Sequence, residues 1–301
     1  MSRAVIVGVG QVTERPEDPT YMARSPVELA AEAARLALVD AQAVTDLGVH
    51  IDLVAGVRQI ETSSPDGGSP FGRSNNFPRS VMARLGHQPL QAWLESPGGQ
   101  SPQTLVASTV EAIEADAFHT ALIVGAEALS TQRHLMAQNL TRDWSEEIGG
   151  GLLERDATFD DTLGGKLIRA QRFDAAAGYA LLDQVRRARL GVSRADYRRA
   201  IAELLAPFSR VAAANPQAAL REPFAAEDLA MPGPRNRPVA DPYLRLTVAR
   251  DLVNQAAAVV LTSVDRARVL GIGEDRWIYL HGHAQAIEHP VLQRPDLSRS
   301  P

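Results

Sequence analysis

Several short stretches carry residue types that could do chemistry. GQSPQ (residues 99–103) places a serine between two apolar segments, the layout of a nucleophile elbow, but the closing glycine is missing and Pro102 follows the serine. Ser101 therefore reads either as a nucleophile or as a helix N-cap whose hydroxyl accepts a backbone N–H, and a proline at the first helical position favours the cap. HGH (281–283) would present two imidazoles on one face of a strand, with Glu288 and His289 near in sequence. Metal sites use that spacing, and so do ordinary strand ends. GVGQVT (8–13) begins like a dinucleotide fingerprint, yet the third glycine is absent, so a strand running into a wide loop is the competing reading. Lys166 is the one lysine in the chain, hence the one candidate for amine catalysis, and it sits in a glycine-rich stretch with no strand ahead of it. Arg186, Arg187, Arg189, Arg194, Arg198 and Arg199 alternate with Asp183, Asp196 and Glu203, the pattern of a solvated helical face that also suits contact with a phosphate.

Composition narrows these options. The chain of 301 residues has no cysteine, which removes disulfides, thiolate metal sites and every cysteine nucleophile together. A net charge of -5 gives no electrostatic footprint for nucleic acid. No apolar run reaches the roughly 18 residues of a membrane span, and MSRAVIVGVG reads as an opening strand, not a leader, so a cytoplasmic protein is expected.

The elements that must position these residues follow from hydrophobic periodicity. AVIVGVG (4–10) is a buried strand ended by glycine, and Ser25, Pro26 and Glu28 form a capping box that opens a helix over 26–43. A strand at 51–60, a short helix at 78–86, a strand at 90–95, a helix at 102–116 and a strand at 120–126 follow in turn. This alternation predicts an α/β fold with a mainly parallel sheet. From 131 to 250 the texture becomes helical and rich in charge and proline, as in SRADYRRAIAELLAPFSRVAAAN. Strand character returns at 256–263 and at 277–286, so the helical stretch reads as an insertion before the last strands of the first domain.

With the elements in place, the motifs resemble the thiolase superfamily, in particular the bacterial acetyl-CoA acetyltransferases and thiolase-like proteins related to lipid-transfer-protein-type thiolases. That superfamily carries its nucleophile in a C-x-S-G-type turn, followed by a helix, a strand and a G-x-E-x-(M/L)-S segment. Gly125-Ala126-Glu127-Ala128-Leu129-Ser130 is similar to that segment, and counting back from it puts the nucleophile position at Gly99 and the motif's serine at Ser101. FSRVAAANPQA, NRPVADPYLRL and NQAAAVVLTS are similar to the loop domain of the same proteins.

The resemblance implies a βαβαβαββ half with a mainly parallel mixed sheet and an inserted, mostly helical loop domain. It divides the chain into 1–130 (first part of the N-terminal domain), 131–250 (loop domain), 251–290 (completion of the first domain) and 291–301 (a linker or the start of a C-terminal half). It also implies an acyl-CoA ligand, with no cofactor beyond the coenzyme A thioester and no metal. Gly98, Gly99 and Ser101 would form the turn that receives the acyl carbonyl. Glycine at 99 cannot form the acyl-enzyme on which thiolysis depends. The catalytic histidines and second cysteine of the superfamily lie in a half that would follow residue 301, and His281, His283 and His289 do not match their motifs. Three readings result: an acyl-CoA-binding protein without thiolase chemistry of its own, an acyltransferase subunit completed by a separate chain, and a structural remnant. A homodimer, a partner chain or a truncated product of limited stability is expected, because helix 102–116 without the second half would expose residues among Leu105, Val106, Val110 and Ile113.

Overall fold

The computed structural model describes residues 3–62, 69–155, 175–286, 288 and 293–299. The chain forms two compact units, Met1–Ala157 with Asp251–Ala284, and Thr158–Arg250 with Gln285–Pro301. The elements run β1 (Ala4–Thr13), α1 (Pro26–Asp40), β2 (Leu53–Val57), α2 (Phe77–Arg84), β3 (Gln91–Glu95), α3 (Ser101–Glu114), β4 (Thr120–Ala128), α4 (Leu129–Ala137) and β5 (Leu153–Arg155). The second unit holds α5 (Ala175–Leu190), α6 (Arg194–Ala214), α7 (Ala226–Ala230), β6 (Pro238–Ala240) and β7 (Tyr243–Leu244). The first unit resumes with β8 (Asn254–Ser263), α8 (Val264–Val269) and β9 (Ile278–Tyr279).

The first unit is built on a seven-stranded sheet in the order β5-β3-β2-β4-β8-β1-β9. Strands β5, β3, β2 and β4 pair in parallel, whereas β8 runs antiparallel to both β4 and β1, and β9 antiparallel to β1. Five strands thus run one way and two the other, a mixed and mainly parallel sheet. Several strands differ from the sequence expectation: β1 continues past Gly10 to Thr13, and the short β6 and β7 lie in the stretch read as helical. Strand β2 stops at Val57, β5 is an unforeseen strand on the outer edge of β3, and only Ile278–Tyr279 of the 277–286 stretch pairs. Residues 281–286 are exposed and carry no strand, because HGHAQA has no large apolar or β-branched side chain for a sheet to bury.

The helix α1 begins as its capping box requires. The Ser25 hydroxyl accepts from the Glu28 N–H at 3.1 Å, and the Glu28 carboxylate accepts from the Ser25 N–H at 2.8 Å. A stripe of fully buried alanines (Ala30, Ala33, Ala34, Ala37) lets α1 lie very close to β1. A β-carbon at Gly8 would stand 2.2 Å from the Ala37 carbonyl oxygen, and one at Gly10 2.0 Å from that of Ala33. The GVG pair therefore lies inside a strand and serves helix packing. It forms no phosphate loop, which removes the dinucleotide reading.

Helix α3 covers the opposite face of the sheet. Its Leu105, Val110 and Ile113 are buried with Ala4, Ala55, Ile123 and Leu261, and Val106 is partly buried against them. Burying each such side chain contributes about 1.5–3 kcal/mol. The expected exposed patch on this helix is thus absent. All four apolar residues meet the chain's own sheet, and Gln103 and Glu111 face outward.

The second unit has its own small core, in which Ala202 and Ala206 of α6 meet Leu229 of α7 and the partly buried Leu205, Phe224 and Leu246. Ser193 caps α6, accepting from the Asp196 N–H at 3.1 Å. Asp183 on α5 ties the elements together, since its carboxylate accepts from Tyr197 on α6 at 2.7 Å and from Tyr243 on β7. Burial first, the hydrogen bond to Asp183 second and the Asp183 charge third push the Tyr197 hydroxyl up to about 12 and that of Tyr243 higher still.

Candidate functional site: the turn between the third strand and the third helix

The C-terminal edge of parallel strands is where open α/β sheets place their ligands, and β3 delivers a glycine turn and a helix N-terminus to that edge. The turn is closed by its own backbone: the Ser101 N–H donates to the Gly98 carbonyl at 3.2 Å, and the Thr104 N–H to that of Gln100 at 3.0 Å. Gly98, Gly99 and Gln100 are exposed. Apart from the two flanking residues, nothing lies within 4 Å of where a β-carbon at Gly99 would be, so the position assigned to a nucleophile opens onto free space.

Ser101 does not cap the helix. The N-cap is Gln100, itself in helical conformation (φ -84°, ψ -20°) and making no side-chain cap bond. That shift of one residue puts Ser101 in the first turn, where i, i+4 and i+8 spacing aligns it with Leu105 and Thr109 on the buried face. Its residual exposure is 1%, and its Oγ has no hydrogen-bond partner among the described residues. Among the described residues, no histidine or carboxylate hydrogen-bonds this hydroxyl.

A carboxylate the sequence reading did not single out anchors the entry to the turn. Glu95, the last residue of β3, is buried, and its Oε1 accepts from the N–H and the hydroxyl of Ser96, both at 3.2 Å. Its Oε2 lies 3.5 Å from the Nε of Arg155 on β5. The Arg155 guanidinium stacks on Trp93 at 5.0 Å and donates to the Ser108 Oγ of α3 at 2.9 Å. Strand β5 is thereby fastened to β3 and α3 beside the turn. The one sequence signal for this is a carboxylate closing an otherwise apolar strand.

On the other face of the same strand ends, Arg58, Gln59, Arg73, Ser74, Phe77 and Leu94 line a cavity of about 350 Å³. Arg58 there donates to Glu154 of β5 at 2.6 Å. No residue of the turn lines this cavity, and its polar walls do not suit an acyl chain.

The other sequence candidates disperse. His283 lies 3.4 Å from Glu111 of α3, and Glu288, in the second unit, pairs with Arg294 at 2.6 Å. Among the described residues, no three histidines or carboxylates converge as a metal site. His289 and Lys166 lie outside the described residues. The arginines of α5 and α6 are largely engaged: Arg194 and Arg198 with Asp241, Arg199 with Asp196, Arg187 with Gln184, and Arg189 with Ser298. The solvated helical face is the reading that their pairing supports.

No family model matches the sequence, and no curated protein does. Solved structures do. A monomeric SCP2-thiolase like protein type 1 (STLP1) from Mycobacterium smegmatis is 39% identical over 99% of this chain and 54% of its own, with a TM-score of 0.75. An Ltp2-ChsH2(DUF35) aldolase matches 98% of this chain and 65% of its own at 19% identity and a TM-score of 0.66. A human mitochondrial 3-ketoacyl-CoA thiolase in complex with CoA matches 90% and 67% at 15% identity and 0.53. The latter two share the fold alone, and the chain spans about half the length of the Mycobacterium smegmatis protein.

Proposed function

We propose that this chain, which carries a thiolase-superfamily half-fold of the lipid-transfer-protein type, binds an acyl-CoA thioester at the turn of Gly98, Gly99 and Ser101 and forms no acyl-enzyme there. The observation that carries the reading is the open space at Gly99 on the N-terminal end of α3. A helix N-terminus attracts a carbonyl oxygen that bears partial negative charge, and it does so whether or not a nucleophile stands beside it. Covalent capture is different, because it needs a side chain, and glycine has none. The CoA complex of a protein with this fold agrees in kind with such a ligand.

A second reading, that the chain works with a separate chain that supplies the reacting groups, is favoured by the two named components of the Ltp2-ChsH2(DUF35) aldolase. Calorimetric titration with acetyl-CoA and with a long-chain acyl-CoA, with mass in solution measured in the same buffer, tests both. Saturable binding by a species of one chain supports the first. Binding confined to a larger assembly supports the second, and a well-folded chain that binds neither ester overturns the thioester reading.

A further inference from the structure

We propose that α6 carries a self-pairing face, on which a second copy of this chain docks antiparallel about a twofold axis near Pro207. The buried residues of this helix, Tyr197, Ala202 and Ala206, turn inward. On its outer side Leu204, Phe208 and Val211 are 65%, 59% and 70% exposed. Their i, i+4 and i+7 spacing sets them in one line along the helix, and the exposed ring of Pro207 lies beside it. Single exposed apolar side chains are ordinary, whereas three large ones in a row on one helix mark an interaction surface.

The charges beside this stripe point to the occupant. Glu203 and Arg210 are exposed and make no ion pair among the described residues, unlike Arg194, Arg198 and Arg199 of the same helix. Seven residues apart, they lie on the same flank of α6 but about 10 Å from each other along its axis, too far to meet within one chain. An antiparallel pair of identical helices brings like flanks together. With the axis near Pro207, Glu203 of each copy faces Arg210 of the other, and the same register sets Leu204 against Val211 with Phe208 beside the axis. One register thus satisfies the apolar and the charged contacts together, a match that an unrelated partner has no reason to share. The sheet offers a second copy less, because its outer strands, β5 and β9, are three and two residues long.

Pairing needs no ligand, so its test stands apart from that of the thioester reading. Light scattering on the chain without ligand, from about 1 to 100 μM, should show the mass rising from one chain to two. Phe208→Glu sets two carboxylates beside the axis and should hold the mass at one chain throughout. Glu203→Arg turns both charge pairs into arginine facing arginine and should weaken pairing about tenfold. Glu203→Arg combined with Arg210→Glu exchanges the charges and should bring pairing back to within about threefold of wild type. All the altered residues are exposed, so circular dichroism of the variants should match wild type. A wild-type chain that stays single over the whole range, the state named for the Mycobacterium smegmatis protein, overturns the proposal. A pair that survives Phe208→Glu overturns it too, as does an exchange that pairs no better than Glu203→Arg alone.

Discussion

Gly99 and Ser101 are two residues apart and make opposite predictions about what a side chain there does. The open space around Gly99 means that Gly99→Cys should fold within about 0.5 kcal/mol of wild type. It would give this cysteine-free chain a single thiol at a helix N-terminus. Such a thiol should ionise below the ordinary value of about 8.5, visible as alkylation by iodoacetamide that is half-maximal below that pH. A midpoint at or above it would show that α3 does not bias the turn toward anions. Ser101→Ala, by contrast, removes a buried hydroxyl that makes no hydrogen bond to any described residue, so stability in urea should hold or rise by up to about 1 kcal/mol. A loss of about 1 kcal/mol would be the signature of a true N-cap.

At the level of elements, the fold depends on how closely α1 can approach β1. Gly10→Ala directs a methyl group at the Ala33 carbonyl, which is backbone and cannot step aside without moving the helix. Overpacking of that kind should cost about 1–3 kcal/mol in urea denaturation, whereas Gly99→Ala serves as the neutral control. The packing of α3 belongs to the same scale. Periodicity showed that this helix has an apolar face, yet it could not show what covers it. The answer, Ala55, Ile123 and Leu261, comes from three strands, of which only β4 follows the helix directly while β2 and β8 are distant in sequence. The buried face of α3 therefore gives no sign of a partner, and the mass in solution is the measurement that tests for one.

For the molecule as a whole, the two units carry separate cores, and one titration belongs to the second unit alone. Tyr197 ionises near 10 when unfolded and near 12 in the fold, so the folded state binds the more protons between those values. The stability this confers is full below pH 10 and is lost as pH rises through about 12. Denaturant melts from pH 9 to 12 should show the second unit weakening first. Tyr197→Phe should flatten the part of that slope due to this hydroxyl, and an unchanged slope would locate the alkaline weakness elsewhere. Tyr243 titrates higher still, so its contribution is lost at more alkaline pH.

The sequence by itself determined the alternation of strands and helices from β1 to β4, the capping box of Ser25 and Glu28, the absence of any thiol and the glycine at 99. All of these are local or compositional, decided by neighbouring side chains or by a missing one. Tertiary structure decided that β8 lies between β4 and β1, that β5 covers the edge of β3, that α3 is buried on its own sheet and that Glu95 meets Arg155. Each depends on residues far apart in the chain, and apolar periodicity encodes a buried face without naming its cover. Ser101 lies between the two classes. Its serine-proline pair announced a helix start correctly, but helical conformation already at Gln100 moved the hydroxyl from the cap into the core.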